Sequence, residues 1–403
     1  MKTAGIICEC NPFHAGHGYL IQESKRGGAD LVIALMSGCF VQRGDAAIAD
    51  PFSRAALMLR GGADVVLELP FPFSSGGAEF FASAGVEILD RLGVDELWFG
   101  SECGDMERLQ RLSLALDDPL FPERYAQSTE GCEGTAQAFF SCLREFCGDP
   151  DPCLSNDILA ISYLRALGKR GSGMKPVTVK RQGSSYRDDK VRDPLEFPSA
   201  TALRKLWKEE GLEAILPYLP EGAGEILQPC VEKGCAPADL SNAERLILGH
   251  FRLTAPDVLE ATAELSGGLG NRMAELSQRA DSLESFLKLS ETKKYPDARI
   301  RRGILFALTG ILREDLKASP AYVRLLASNE AGREFLAACR KKSALPIVTR
   351  RADLPASPEA QRQAEWERRA YALYSLCLPK AAPCDGLWRQ NPIITGKNSE
   401  KSK

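Results

Sequence analysis

Four short apolar runs in the first hundred residues constrain this fold more than any other feature. They are Thr3 to Cys8 (TAGIIC), Asp30 to Met36 (DLVIALM), Ala63 to Leu69 (ADVVLEL) and Glu96 to Phe99 (ELWF). Helical patterns lie between them, over 14–26, 52–60 and 77–92, with stops at Gly61-Gly62, Pro70 and Gly100. Continuous apolar strands of about 4 to 8 residues are buried on both faces, and strands that alternate with helices pair in parallel. A Rossmann-like α/β domain is therefore expected, its parallel sheet covered by helices on both sides. One later strand is expected at Lys175 to Lys180 (KPVTVK). Beyond Lys208 the patterns are helical and no convincing strand stands out, so an all-α domain should follow. The expected divisions are 1–207 for the α/β domain, 208–392 for the helical one and 393–403 for a polar, disordered tail.

The chain has 403 residues, too many for one ordinary core, which agrees with two domains. Its formal net charge is -3, so any nucleic-acid contact must come from a local patch rather than from the molecule as a whole. No apolar run reaches the ~20 residues of a membrane helix, and Met1 to Gly5 leads straight into a strand without the layout of a signal peptide. The cytoplasm is the expected location. Thirteen cysteines are too many and too odd in number for a disulfide framework in such a chain. Their closest pairs, Cys8-x-Cys10, Cys142-x4-Cys147 and Cys230-x4-Cys235, lack the two-residue gap usual for zinc. Buried, reduced thiols and no metal site are expected.

Only three histidines occur, and two of them, His14 and His17, fall in the stretch that follows the first strand. Ligands of open parallel sheets bind outside the carboxyl ends of the strands, where this stretch lies. Pro12 shapes the turn, Gly16 permits close approach, and the start of the helix points its amides at an anion. Residues three apart share a helix face, so both imidazoles can donate to phosphoryl oxygens and stabilise charge on a departing pyrophosphate. The plainer reading is a histidine cap with a packed neighbour. The loop Phe40 to Asp45 reads either as a mobile anion-binding lid or as an ordinary polar loop. Gly100 and Arg181 end two other strands. Ser199 caps a later helix on which Thr201 and Arg204 share a face, which suits an anion or simply a well-capped helix. In the helical half, Lys293, Lys294, Arg299, Arg301 and Arg302 gather against the single acid Asp297. With Arg340-Lys341-Lys342 and Arg350-Arg351 they suggest a phosphate-backbone footprint, or a solvated helix face.

Asn11-Pro12-Phe13-His14-Ala15-Gly16-His17 after a short strand is the signature of the HxGH nucleotidyltransferases. The wider pattern resembles the bacterial tRNA(Met) cytidine acetate ligases. It takes in Met36-Ser37-Gly38, Gln42-Arg43-Gly44, the run Gly62 to Pro70 and Phe99-Gly100-Ser101-Glu102. It continues more thinly at Ser155 to Leu159, Lys180-Arg181, Ser199-Ala200-Thr201 with Arg204, and Arg299 to Arg302. The chain departs from that pattern at Cys10, Ala15, Cys39 and Pro51-Phe52.

The resemblance implies a two-step reaction: acetate and ATP form acetyl-adenylate, which acetylates N4 of the wobble cytidine of elongator tRNA(Met). It implies an ATP site built from Ile7, Cys8, Asn11, Pro12, Phe13, His14, Gly16, His17 and Leu20, completed by Gly100, Asn156 and Arg181. Ser199 and Thr201 are added to that site, and His14, His17 and Arg204 are the candidate catalytic groups. It further implies a helical domain that holds RNA, not DNA, with no membrane partner; Mg2+ is expected with the triphosphate on general grounds, without dedicated ligands in the sequence. Lys293, Lys294, Arg299, Arg301 and Arg302 are the candidate tRNA contacts. Two other functions stay open on the residues alone: a small-molecule adenylyltransferase, and an ATP-sensing RNA-binding protein without turnover.

Overall fold

The computed structural model describes residues 1–128, 136–151, 153–181 and 198–396. The sequence reads as a polar loop from Gln182 to Pro198, of which 182–197 lie outside the described residues, as does 397–403, the last part of the expected tail. The four apolar runs form strands β1 (Thr3–Cys8), β2 (Leu31–Ser37), β3 (Val65–Leu69) and β4 (Glu96–Ser101), and KPVTVK forms β5 (Lys175–Lys180). Helices α1 (Ala15–Arg26), α2 (Pro51–Arg60) and α3 (Ala78–Arg91) connect the first four. Between β4 and β5 come α4 (Met106–Ala115), α5 (Leu120–Ser128), α6 (Ala136–Phe146) and α7 (Ser155–Arg170), and α8 (Ala200–Glu210) follows β5.

These five strands are parallel, in the order β5-β4-β1-β2-β3. From β1 the chain builds outward through β2 and β3. It then returns to the other side of β1 for β4 and β5. The order thus reverses between β1 and β4, which is where a crevice opens at the carboxyl edge of such sheets. Every residue of β1, β2 and β3 is buried, as expected when helices cover both faces. On one face Ile7, Ile33, Leu35 and Leu67 pack on Phe81, Val86 and Leu89 of α3 and on Ile161 and Leu164 of α7. On the other, Ile6, Val32, Ala34 and Val66 pack on Ile21, Leu57, Met58, Leu203 and Trp207.

The second half is mainly helical. Its helices are α9 (Ala223–Glu232), α10 (Glu244–Leu253), α11 (Pro256–Ala261), α12 (Leu269–Ser277), α13 (Leu283–Ser290), α14 (Asp297–Thr309), α15 (Glu330–Lys342) and α16 (Pro358–Leu376). It nevertheless contributes three strands that sequence reading does not find: β6 (Val323–Ser328), β7 (Ile347–Val348) and β8 (Ile393–Ile394). β6 pairs antiparallel with β3 and extends the sheet, while β7 and β8 pair with β6. Ile393 and Ile394 thus belong to the sheet, although they fall in the expected tail.

The reason β6 hides in the sequence is Arg324, a charge inside an otherwise apolar run (VRLLAS). Arg324 stands opposite Glu68 of β3, and its Nε donates to Glu68 Oε2. A charge that is matched across the ladder can be buried where an isolated one cannot.

A third core belongs to the helical half, around Leu248, Phe251, Phe286, Ile304 and Phe306. It also takes in Cys39, Phe40, Val41, Ala46 and Ala47 from the loop after β2. That loop is therefore seated in the helical core at both of its ends, while Gln42 and Arg43 at its tip line a cavity. Gly44, at φ 82, faces α14 so closely that a Cβ there would come within 2.5 Å of the Arg302 nitrogen.

Candidate active site

The chain leaves β1 through Cys10, at φ 48, and a cis Asn11-Pro12 bond. Asn11 is buried, and its Oδ1 accepts the Ile48 N–H at 2.7 Å. Phe13 turns away into the core; a Cβ on Gly61 would collide with its ring. This arrangement brings His14 to the N-cap of α1.

His14 Nδ1 accepts the Gly16 N–H at 3.0 Å, and His17 Nδ1 accepts the His14 N–H at 3.2 Å. The pair forms a capping box made of two imidazoles, in place of the usual Ser/Thr and Glu. Gly16 is needed for it, since a Cβ there would lie 2.8 Å from His14 Cε1. The two rings sit 3.9 Å apart between centroids, tilted by 38°. Because both Nδ1 atoms accept, each neutral ring carries its proton on Nε2, a donor free of the cap. Burial, with the neighbouring His17, Arg181 and Arg204 charges, holds His14 well below the usual imidazole range. Burial and Arg181 bring His17 down to about 3.

Two arginines approach this pair. Arg204 Nη1 donates to Asn11 O at 2.7 Å and Nη2 to Thr201 Oγ1 at 3.2 Å. Its helix, α8, is capped by Ser199, whose Oγ accepts the Ala202 N–H at 3.0 Å. Arg181 follows β5, and its Nη1 reaches Asn156 Oδ1 at 3.4 Å. Gly100 lies beside it; a Cβ there would be 3.2 Å from Arg181 Cγ. Asn156 is placed by Glu102, which accepts from its Nδ2 at 2.6 Å and also from the Asn156 and Asp157 N–H groups. Asp157 answers by accepting the Glu102 and Cys103 N–H groups, so the ends of β4 and α7 lock each other.

A cavity of about 350 Å³ opens among these residues, at the switch between β1 and β4. Its wall includes Ile7, Cys8, Asn11, His14, Gly16, His17, Leu20, Gly100, Asn156 and Arg181. Asn11 Nδ2 is buried there without a partner among the described residues, a donor left for a ligand. The cavity wall thus carries two imidazoles, an amide and the Arg181 guanidinium, with Arg204 held just beyond it on the Asn11 carbonyl, a set of donors that suits a polyphosphate.

The HIGH Nucleotidyl Transferase family model matches residues 1–386. A tRNA(Met) cytidine acetate ligase of Thermoanaerobacter sp. (strain X514) is 37% identical over 360 residues, 87% of this chain and 89% of that protein. The chain belongs to the tRNA(Met) cytidine acetate ligase family. The Thermotoga maritima member is 35% identical over 399 residues, covering 92% of this chain and 94% of its own length. Crystal structures of Thermotoga maritima TmcAL superpose with TM-scores of 0.91 for the apo form and 0.88 for the form bound with alpha-thio ATP. Both are 32% identical and cover 98% of this chain and 100% of theirs.

Within this ligase fold some expected site residues stand back from the cavity. Pro12 and Phe13 shape the turn, Ser199 and Thr201 act on α8 and Arg204, and Arg204 itself, the expected catalytic arginine, holds the Asn11 carbonyl and does not line the cavity. Other residues escape sequence reading. Glu9 lines the cavity, and burial raises its carboxyl against the pull of Arg43 and Arg204. Arg54 of α2 is fully buried. Its Nε donates to Ala49 O at 2.9 Å, its Nη1 to Glu9 O at 2.9 Å, and its Nη2 to Ser37 O at 3.0 Å and to Gly38 O. One cation thereby ties the loops after β1 and β2 together. Its only signal in the sequence is a charge on the apolar face of a short helix.

The basic run of the helical half is not a free patch. Arg299 donates to the Glu264 and Ser266 carbonyls at 2.9 and 2.8 Å. Arg301 bridges Asp297 at 2.7 Å and Asp45 at 2.9 Å. Arg302 holds Glu264 and lines the cavity. The footprint reading thus loses these three to contacts within the protein. Lys293 is exposed, and Lys294 sits 5.2 Å over the Tyr295 ring. Among the described residues no cluster of His, Cys, Asp or Glu has the makings of a metal site, the twelve described cysteines are all free, and no helix is long and apolar enough to cross a membrane.

Proposed function

We propose that this protein activates acetate with ATP and transfers the acetyl group to N4 of the wobble cytidine of elongator tRNA(Met). The observation that carries the reading is the paired Nε2 donors of His14 and His17, set in the cavity with Arg181 and Arg204 close by. In the first step a carboxylate oxygen attacks the α-phosphorus. A C(O)–O–P link forms, the Pα–O–Pβ bond breaks, and pyrophosphate leaves with the electron pair. Catalysis here is positioning together with charge stabilisation, and needs no protein nucleophile. The neutral histidines suit it, because a donor without a full charge can hold the triphosphate and still release pyrophosphate. Any Mg2+ would arrive as part of the nucleotide substrate.

In the second step the cytidine N4 amine attacks the acetyl carbonyl, AMP departs with the C–O electron pair, and the amine gives up a proton. The helical half supplies the RNA surface. Arg340, Lys341 and Lys342 are exposed in the last turn of α15, and with the exposed Lys293 they are the cations we assign to phosphates. Relatives named for this activity over nine-tenths of their length support the assignment.

Mass analysis of tRNA nucleosides after incubation with ATP and acetate tests it. N4-acetylcytidine is expected only when the protein, ATP and acetate are all present. Its absence, with ATP bound, would favour a sensor over an enzyme.

A further inference from the structure

Arg43, Lys180 and Arg302 of the cavity wall have no part in the steps above. Arg302 reaches the cavity from α14, together with Ala298 of the same helix. Its side chain is 12% exposed. Its Nε and Nη2 lie side-on to Glu264, each 3.2 Å from one carboxylate oxygen. Nη1 takes no part in that pairing, and no described residue accepts from it.

Glu264 is itself firmly set. Its backbone adopts φ 67, and its carbonyl accepts from Arg299 Nε at 2.9 Å. A non-glycine residue in the left-handed region persists where its surroundings over-determine it, and such positions gather at functional sites.

Arg302 stands apart from the phosphate side. It is carried by α14, whereas Arg181 follows β5 and Arg204 is on α8. Its own neighbours are the start of α3, where Glu264 Oε1 lies 3.5 Å from the Cβ position of Gly77, and the loop after β2, where Gly44 abuts the Arg302 backbone. Ala78 and Arg43, adjacent in sequence to those glycines, and Gln42 line the same cavity.

Adenylation brings two anions together. If the triphosphate occupies the histidine side, the second anion needs a counter-charge on another wall. We propose that Arg302 is the receptor for the carboxylate substrate, with Glu264 as its positioning residue. A guanidinium gripped along one edge presents its remaining N–H groups in a fixed plane, suited to one carboxylate oxygen while the other attacks phosphorus. This assignment rests on the adenylation reading above.

The test is acetate-dependent ATP–pyrophosphate exchange by Arg302→Lys, Arg302→Gln and Glu264→Gln. The acetate KM should rise roughly tenfold to a hundredfold in Arg302→Gln, the loss expected of a charge-assisted contact. The rise should be smaller in the other two, and the ATP dissociation constant should stay within twofold. Weaker ATP binding by Arg302→Lys with an unaltered melting temperature would give Arg302 to the nucleotide instead and overturn the proposal. So would an unchanged acetate KM. A wild-type protein without acetate-dependent exchange would defeat the adenylation reading itself, so the two failures are distinguishable.

Discussion

His17 Nδ1 accepts the backbone N–H of His14, so the second histidine of the motif holds the first at the start of α1. Both side chains therefore have two tasks, one at Nδ1 in the helix cap and one at Nε2 toward the cavity.

Substitution can separate those tasks. Asn is a good N-cap, so His14→Asn should keep the helix start while losing the Nε2 donor. Pyrophosphate exchange should fall about 100- to 1000-fold, as when one oxyanion donor is removed, with the melting temperature little changed. His17→Ala should lose a similar factor in exchange and also roughly 1 kcal/mol of stability with its half of the cap. Steady-state exchange and thermal melts on both variants check this.

The depressed histidines make stability depend on pH. In the folded protein both stay neutral well below the ordinary value of 6.5, His17 down to about 3. The unfolded chain takes up these protons near pH 6.5 and the folded chain does not, so unfolding free energy falls as pH drops below that point. Above pH 7 the two contribute no slope. Denaturant titrations of the ligand-free protein between pH 4.5 and 7.5 should show this loss, and His17→Ala should reduce it.

Arg54 predicts a stability effect at the root of the site. Arg54→Met would orphan the Glu9, Ser37, Gly38 and Ala49 carbonyls that its guanidinium satisfies. A loss of roughly 3–5 kcal/mol is expected, since several buried acceptors are affected at once. Arg54→Lys, which can reach only some of them, should fall between. Chemical denaturation of both variants measures it.

The exposed cluster on α15 predicts a salt effect confined to RNA. Replacing Arg340, Lys341 and Lys342 with Gln should weaken tRNA binding. It should also reduce the slope of log affinity against log salt by up to about 2 to 3. Pyrophosphate exchange should be unaffected. Filter binding across a salt series, beside the exchange assay, reads both.

The sequence showed some of this plainly and hid the rest for identifiable reasons. β1 to β4 were legible because strands buried on both faces are written as unbroken apolar runs. The histidine motif was legible because its place after β1 gives it a geometry. β6 was not, because the charge of Arg324 is matched by Glu68, more than 250 residues away. The same distance hid the role of the Arg299 to Arg302 run. Its carbonyl and carboxylate partners in 264–266 and at Asp45 are neighbours only in the folded chain. Charge density along a sequence cannot distinguish a surface that awaits RNA from a clasp already closed.

The most direct measurement is a crystal structure of this protein with α,β-methylene ATP. The triphosphate should lie within hydrogen-bonding distance of Nε2 of both His14 and His17, with Arg181 and Arg204 alongside. A triphosphate found elsewhere, with the two imidazoles contacting only solvent, would contradict the assignment of this cavity.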